Sequence, residues 1–546
     1  MFANVVVFSP TDPTKKFFTY KVPNKLSKDI VTGLLVSVPW GRKTTQGIII
    51  EVKKETEVKD PKEILKILSV TPLLLPEYIE LLKWMSWYYH APMLDCLKVF
   101  LPDITRFSSQ KLNFSQKSQK NIKQTVILLP NINQMRNFYN KLKTSQGKVI
   151  YHKLLSKDEL WKLWFDIYSG KPSTIIGTRS AVFTPCPNLV KIIIVSEEDP
   201  AFKDAQSPYF DTLTIAAKLT QLTKARLIIK SLTPRVETWF EFPKKITKPK
   251  IKPKIIIVDL RKMKKTKEKT NLSDTLINIL IEKIGSNKNI LLFLNRTKES
   301  GQIYCYECKF SGFSASAPTV CPNCGATKIN FYSVNLKSIE NQVVKIVPDA
   351  GIKIIKQGKE KLVKKGKPLI TLATNAIFSQ NAEKFSFISL ISADTILNLP
   401  DFSSSFRTFS TIIKLSLLAD DNCDLLIQTY NPKHPAIKFA AEFDFDSFYH
   451  QELILRKKLE LPPYSILAKL TLKMKSLEKV QLEAEKLKQT LESKSLLVEI
   501  SDPIQNWQTR IEFNIILKAK KRQELDSLLP YVPSKWKVVI DPESLL

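Results

Sequence analysis

Glycine is scarce in this sequence, 13 residues in 546, and none of it builds a phosphate-binding loop of the form G-x-x-x-x-G-K-[ST]. The Gly-Lys pairs at 147–148, 170–171, 358–359 and 366–367 lack both the spacing and the following Ser or Thr. Such a loop holds nucleotide phosphates on backbone N–H groups and a lysine, so ordinary nucleotide hydrolysis is not expected. Acidic residues are also short: 52 Asp and Glu face 84 Lys and Arg, a formal net charge of +32. That excess favours polyanions, nucleic acid above all. AT-rich codon usage would raise Lys, Ile and Asn and lower Gly, but it does not explain why the acids fail to keep pace. No apolar run approaches the ~20 residues of a bilayer span. The opening MFANVVVFSPTDPTKK has no basic segment ahead of a long apolar core, so no secretory leader is expected. Cysteine is limited to seven residues, and Cys96, Cys186 and Cys423 fall in no motif, which fits a reducing compartment. A soluble cytoplasmic protein without a membrane partner is the expectation.

Four cysteines do form a pattern. Cys305-Tyr-Glu-Cys308 is followed twelve residues later by Cys321-Pro-Asn-Cys324. Two Cys-x-x-Cys turns can aim four thiolates at one tetrahedral Zn²⁺ and leave no position for water, which describes a structural ion. Pro322 and Gly325 suit a knuckle that turns sharply. Four reduced thiols, or a redox pair, is the alternative reading.

The hydrophobic fraction of 43% suffices for real cores, and the length suggests about three to five domains. Residues 2–8, 17–22, 34–40 and 46–53 have strand length and are separated by turn signals, which predicts a β-rich front domain over 1–106. Phe18, Thr19 and Tyr20 in one strand, and Arg42 and Lys43 after Trp40, mix aromatics with cations. That mixture can stack a base and neutralise a phosphate, or fill a small core beneath a solvated turn. A helix is expected from Pro76 to about Tyr89, its tryptophans in the core. Residues 107–123 read as a linker. Strands at 125–130, 173–178, 191–198 and 226–231 predict a first α/β lobe over 124–240. A Pro/Lys-rich connector spans 241–254. Strands at 254–260, 289–295, 368–374, 386–392 and 423–430 predict a second lobe over 255–435, with the cysteine ribbon inserted at 303–328. A helix over 449–461 and a strand–helix–strand–helix–strand order predict a C-terminal α+β domain over 436–546.

Several strings resemble the PriA family of primosomal replication-restart proteins. They are Phe18-Thr-Tyr-Lys-Val-Pro23 and Val36-Ser-Val-Pro-Trp-Gly-Arg-Lys43 in front, then Ile176-Gly-Thr-Arg-Ser-Ala181 and Ser231-Leu-Thr-Pro234. Phe293-Leu-Asn-Arg296 precedes the ribbon, and Ser392-Ala-Asp394, Leu397 to Phe402, Arg407-Thr-Phe409, Ile427 to Pro432 and Ile540 to Leu546 follow it. The likeness covers most of 1–106 and 124–546. It implies an N-terminal domain for the 3′ end of a nascent DNA strand, two RecA-like helicase lobes with a zinc ribbon in the second, and the C-terminal domain. It also implies forked and single-stranded DNA as partners, together with a single-stranded-DNA-binding protein and primosome proteins. Phe18, Thr19, Tyr20, Arg42, Lys43 and Lys66 are then the candidate DNA contacts, Lys66 doubling as a solvated helix cation.

The departures from the family shape the functional expectation. The acidic box reads Ser196-Glu197-Glu198-Asp199 and lacks the leading carboxylate that would hold Mg²⁺. Where the family has a glycine- and arginine-rich motif, this chain has Ile412 to Asp420 with Lys414 as its cation. An arginine finger alone carries about 10³–10⁵ in rate, so ATP and Mg²⁺ are doubtful cofactors and no catalytic residue is assigned. Four cysteines stand where the family commonly has eight, implying one zinc. Thr19 stands where the family commonly has Asp. The leading expectation is a fork-binding restart protein without helicase activity. An active 3′–5′ helicase and a protein-only zinc-ribbon adaptor are the alternatives.

Overall fold

The computed structural model describes the chain except residues 10–15, 103–121, 144–146, 243–251, 263–270, 287, 296–300, 309, 315–317, 333–334, 357–358, 365–368, 381–383, 400, 506–511 and 546. Nearly all of the expected linker, most of the expected connector, and Arg296 lie outside the described residues. The described chain divides into two compact units: Met1–Ser231 with Leu529–Asp541, and Leu232–Leu528 with Pro542–Leu546.

The first unit opens with β1 (Phe2–Val7), β2 (Phe18–Lys21), β3 (Leu35–Trp40), β4 (Lys43–Lys53) and β5 (Lys66–Ile67), ordered β2-β1-β4-β3-β5. Strand alternation turns Ala3, Val5, Val7, Tyr20, Val36, Val38 and Ile49 into one core. The Lys21 N–H donates to Lys62 O at 2.9 Å, and the Leu65 N–H to Ser37 O at 3.0 Å. The 62–67 segment therefore pairs with β2 at one end and β3 at the other, closing the sheet into a small barrel. Helices α1 (Pro76–Tyr88) and α2 (Met93–Phe100) follow. They pack against an α/β layer through Tyr78, whose hydroxyl donates to Thr184 O at 2.7 Å, and through Phe100 O, which accepts from Trp164 Nε1 at 3.2 Å.

That layer has β6 (Gln124–Leu128), α3 (Ile132–Lys141), β7 (Lys148–Tyr151), α4 (Lys157–Tyr168), β8 (Thr174–Gly177), β9 (Leu189–Val195), α5 (Thr212–Thr223) and β10 (Arg226–Lys230). The strands are all parallel in the order β10-β9-β6-β8-β7. Asn131, Ser156 and Asp211 cap α3, α4 and α5, each accepting from a first-turn N–H. Strand β7 was not among the expected strands, because its four residues carry too short an apolar signal.

The second unit begins with α6 (Val236–Glu241), which the sequence reading placed in the first lobe. Val236 and Trp239 bury themselves in the second unit's core, Trp239 stacking on Tyr449 at 4.0 Å, and this fixes the assignment. Next come β11 (Lys254–Asp259), α7 (Asp274–Gly285), β12 (Ile290–Phe293), then β13 (Gly301–Cys305), β14 (Ser311–Ser314) and β15 (Ile329–Tyr332), which form a separate antiparallel sheet ordered β14-β13-β15. Helix α8 (Leu336–Ile346), β16 (Gly351–Lys356), β17 (Lys359–Lys364), β18 (Leu369–Ala373) and β19 (Phe385–Leu390) return to the main sheet. Helices α9 (Asp394–Leu397) and α10 (Ser404–Ser416), then β20 (Ala419–Thr429), complete it. The order is β11-β20-β19-β12-β18-β16-β17, parallel but for the edge strand β17. The hairpin β16–β17 was not expected, since lysine interrupts the apolar run of Gly351–Lys356 and Lys359–Lys364 holds only Leu362 and Val363 as apolar residues.

Helices α11 (Pro435–Glu442) and α12 (Phe445–Lys458) lead to β21 (Ile466–Lys473), α13 (Leu477–Glu492), β22 (Glu499–Ile500), β23 (Ile504–Gln505), β24 (Glu512–Ala519) and α14 (Arg522–Leu528). Strand β24 pairs antiparallel with β21, β22 and β23. Arg456, buried on α12, donates to Glu237 at 2.7 Å, Glu452 at 3.0 Å and the Pro462 carbonyl at 3.0 Å. It therefore ties α6 and the 462 turn to α12. Among the described residues no helix is long and apolar enough to cross a membrane.

Candidate nucleic-acid interface and metal centre

Phe18, Thr19 and Tyr20 are consecutive, so the period of two sends them to different sides of β2. Tyr20 is 4% exposed in the barrel core, and its hydroxyl donates to Pro39 O at 3.2 Å. The expectation of an open stacking face at Tyr20 is therefore corrected: its ring is core. Phe18 is half-buried with its ring edge-on to Trp40, centroids 4.7 Å apart. Thr19 faces outward and lies across from Asn4 of β1, which lies across from Glu51 of β4. The Thr19 hydroxyl donates to Asn4 Oδ1 at 2.8 Å, and Asn4 Nδ2 donates to Glu51 Oε2 at 2.7 Å. Lys53 lies 3.3 Å from the same carboxylate. Asn4 and Glu51 were not among the expected contacts. The available signal was a lone amide inside the apolar run Phe2 to Phe8.

Arg42 and Lys43 are exposed at the β3–β4 hairpin. Gly41 opens that turn at φ +58°, a conformation its missing Cβ permits. Lys66 is exposed on β5, paired with Ser37, so it is a strand residue and not a helix cation. On α1, Trp84 stacks on Tyr88 at 4.7 Å and Trp87 is 45% exposed, against the expectation of core tryptophans.

The four ribbon cysteines converge. Cys305 ends β13 and its N–H donates to Phe310 O at 2.9 Å; the Cys321 N–H donates to Ala326 O at 2.7 Å. Gly325 sits at φ +73°, turning the second knuckle. The Sγ atoms of Cys305 and Cys324 are 3.7 Å apart, as are those of Cys308 and Cys321, and all four lie within 4.8 Å of one another. Four sulfurs about 2.3 Å from one tetrahedral ion would lie about 3.8 Å apart, so the set fits one metal ion. The separations are far too long for a disulfide, whose sulfurs lie about 2 Å apart. The Asn323 side-chain amide, 3.5 Å from Cys308 Sγ, leads the interactions that hold that exposed thiol down to about 6. Cys324 is lowered by the Ala326 N–H, but the crowded neighbouring thiols and burial outweigh this and push it up to about 12. Elsewhere Cys96, Cys186 and Cys423 are buried, and loss of solvent raises each thiol, the latter two to about 12. Those three are unreactive core residues.

In the first unit the acidic box is occupied by protein contacts. Glu197 is 1% exposed, Glu198 accepts from Ser231 Oγ at 2.6 Å, and Asp199 accepts from the Ala201 N–H at 2.9 Å. Arg179 pairs with Asp204 at 3.2 Å. In the second unit Asp394 accepts from the Tyr430 N–H at 2.9 Å and the Asn431 side chain at 3.1 Å. Arg407 donates to Glu543 O at 2.7 Å and lies 3.5 Å from Asp401. The motif residues quoted above thus brace their own units.

Residues 4–102 match the family described as the 3'DNA-binding domain (3'BD) of PriA. Replication restart protein PriA of Bacillus subtilis is 25% identical over 478 residues, covering 78% of this chain and 59% of that protein. The Thermotoga maritima protein of the same name is 24% identical over 481 residues, covering 77% and 63%. These alignments span less than two thirds of either relative's length. The Rickettsia conorii protein is 24% identical over 647 aligned positions, covering 97% of this chain and 98% of its own. Among solved structures, the DUF1998 helicase MrfA bound to DNA covers 77% of this chain and 59% of its own at 10% identity, with a TM-score of 0.34, too low to assign a fold. Through its front domain, and through relatives aligned along most of its length at 24–25% identity, the chain is similar to the PriA replication restart proteins.

Proposed function

We propose that this protein binds forked or abandoned replication sites in DNA, captures the 3′ end of a nascent strand in its front barrel, and helps reassemble the primosome without a motor of its own. The match of residues 4–102 to a 3′ DNA-binding domain carries this reading. Thr19 is the end-reading residue on the outer face of β2, the Phe18 and Trp40 rings pack against the core on its other face, and Arg42, Lys43 and Lys66 take phosphates. The two parallel sheets are helicase lobes of RecA type kept as a frame, and the segment after them is a C-terminal α+β domain. The ribbon holds one structural zinc on Cys305, Cys308, Cys321 and Cys324, an ion that supplies local folding energy and no reaction step. A single-stranded-DNA-binding protein and primosome proteins are the partners, in the bacterial cytoplasm.

The absence of a G-x-x-x-x-G-K-[ST] loop anywhere in the sequence supports a frame without hydrolysis. The test uses the full chain, a fork carrying a nascent strand, and the same fork without one. Tighter binding of the first, with no DNA-stimulated ATP turnover, is the expected result. Turnover abolished by Glu197→Gln would establish the motor reading instead, and absent DNA binding would leave a protein adaptor.

A further inference from the structure

The polar row across the barrel has a direction. Glu51 as a carboxylate can only accept hydrogen bonds, so the Asn4 amide must present Nδ2 to it and Oδ1 to Thr19. That oxygen can only accept, so the single proton of the Thr19 hydroxyl is committed to Asn4. What Thr19 offers an incoming group is then a lone pair. A threonine hydroxyl left to itself rotates and serves as donor or acceptor alike. Asn4 is 3% exposed, which keeps water from competing, and the charged end of the chain strengthens each link.

The backbone is shaped to build this row. Register shifts between Asn4 and Val5, so Asn4 faces Glu51 while Val5 faces Ile49, leaving Ile50 as the extra residue of a bulge. The bulge lets Ile49 and Val52 both meet the core while Glu51 joins Asn4 and Thr19 outside it.

We propose that Asn4 and Glu51 are positioning residues that lock the Thr19 hydroxyl as an acceptor for the proton of a terminal 3′-hydroxyl. This rests on the reading of the barrel as a 3′-end site. A site locked in this sense favours a 3′-hydroxyl over a 3′-hydrogen, which has no proton to give. Glutamine in place of Glu51 both donates and accepts, so the Asn4 amide can turn over and the Thr19 proton can swing outward.

The experiment measures binding of the full chain to oligonucleotides ending in 3′-hydroxyl or 3′-hydrogen, and reads the ratio of the two dissociation constants. The unaltered protein should favour the hydroxyl by about three- to ten-fold, the range of one net hydrogen bond. Glu51→Gln and Thr19→Val should bring the ratio close to one, and Thr19→Ser should keep it. Thr19→Asp, an acceptor that needs no orienting, should make the ratio insensitive to Glu51→Gln, which separates lost orientation from lost folding. No preference in the unaltered protein overturns both the 3′-end reading and this inference. A preference that falls with Thr19→Val but survives Glu51→Gln leaves Thr19 as the contact and overturns the lock. So does an equal gain for both ends, the mark of a removed negative charge acting through space.

Discussion

At the scale of single residues, chemistry is decided by which neighbours share a proton or an ion. Four thiols packed within 4.8 Å leave a site in which one sulfur is driven toward thiolate and another away from it. A dication removes that conflict, because each ligand then binds as thiolate. Full-length protein should therefore carry one zinc per chain by elemental analysis. Cys305→Ser takes away a fully buried ligand and should release the ion and open the stretch around 301–332 to protease, whereas Cys423→Ser should do neither. Zinc retained at full occupancy in Cys305→Ser would show that the cluster is not its site.

At the scale of elements, most strands of the barrel and of the two larger sheets were legible because apolar residues run unbroken or alternate at strand length. What escaped the sequence was set by partners distant along the chain. Tyr20 is indistinguishable from a stacking residue until the barrel closes over it. Asn4 and Glu51 are 47 positions apart and meet only through a bulge. Helix α6 reads as part of the first lobe until Trp239 finds Tyr449. Helix α11 shows how one such contact sets a pH response. His434 caps it, Nδ1 accepting from the Ala436 N–H at 3.2 Å, and burial holds the imidazole below its ordinary value of 6.5 despite Glu452 and Asp394 nearby. A depressed histidine contributes stability that is complete above 6.5, where both states are neutral. That contribution is lost as pH falls, because the unfolded chain takes the proton first. His434→Asn keeps a capping acceptor and removes the titration. Thermal midpoints followed from pH 7.5 down to 5.5 should then fall more for the unaltered protein than for the variant, and parallel curves would remove the histidine from the account.

At the scale of the whole molecule, a charge of +32 can act in two ways that salt separates. Spread evenly, it raises the potential everywhere and steers DNA without fixing it. Gathered on a contact surface, it displaces condensed counterions, and the logarithm of affinity falls linearly with the logarithm of salt by about 0.7–0.9 per phosphate neutralised. Arg42, Lys43 and Lys66 are exposed on the barrel that matches the 3′ DNA-binding domain, whereas Lys21 and Lys53 on the same sheet already lie within 3.0 and 3.3 Å of carboxylates. The cations with no carboxylate partner among the described residues should carry the phosphate contacts, and the paired ones should not. Replacing Arg42, Lys43 or Lys66 with Met should each make the salt slope shallower by about one, with the affinity loss shared across DNA sequences. Lys21→Met should leave the slope as it was. If the three single variants keep the full slope, the phosphate track lies on the lobes and the barrel reads only the end of the strand.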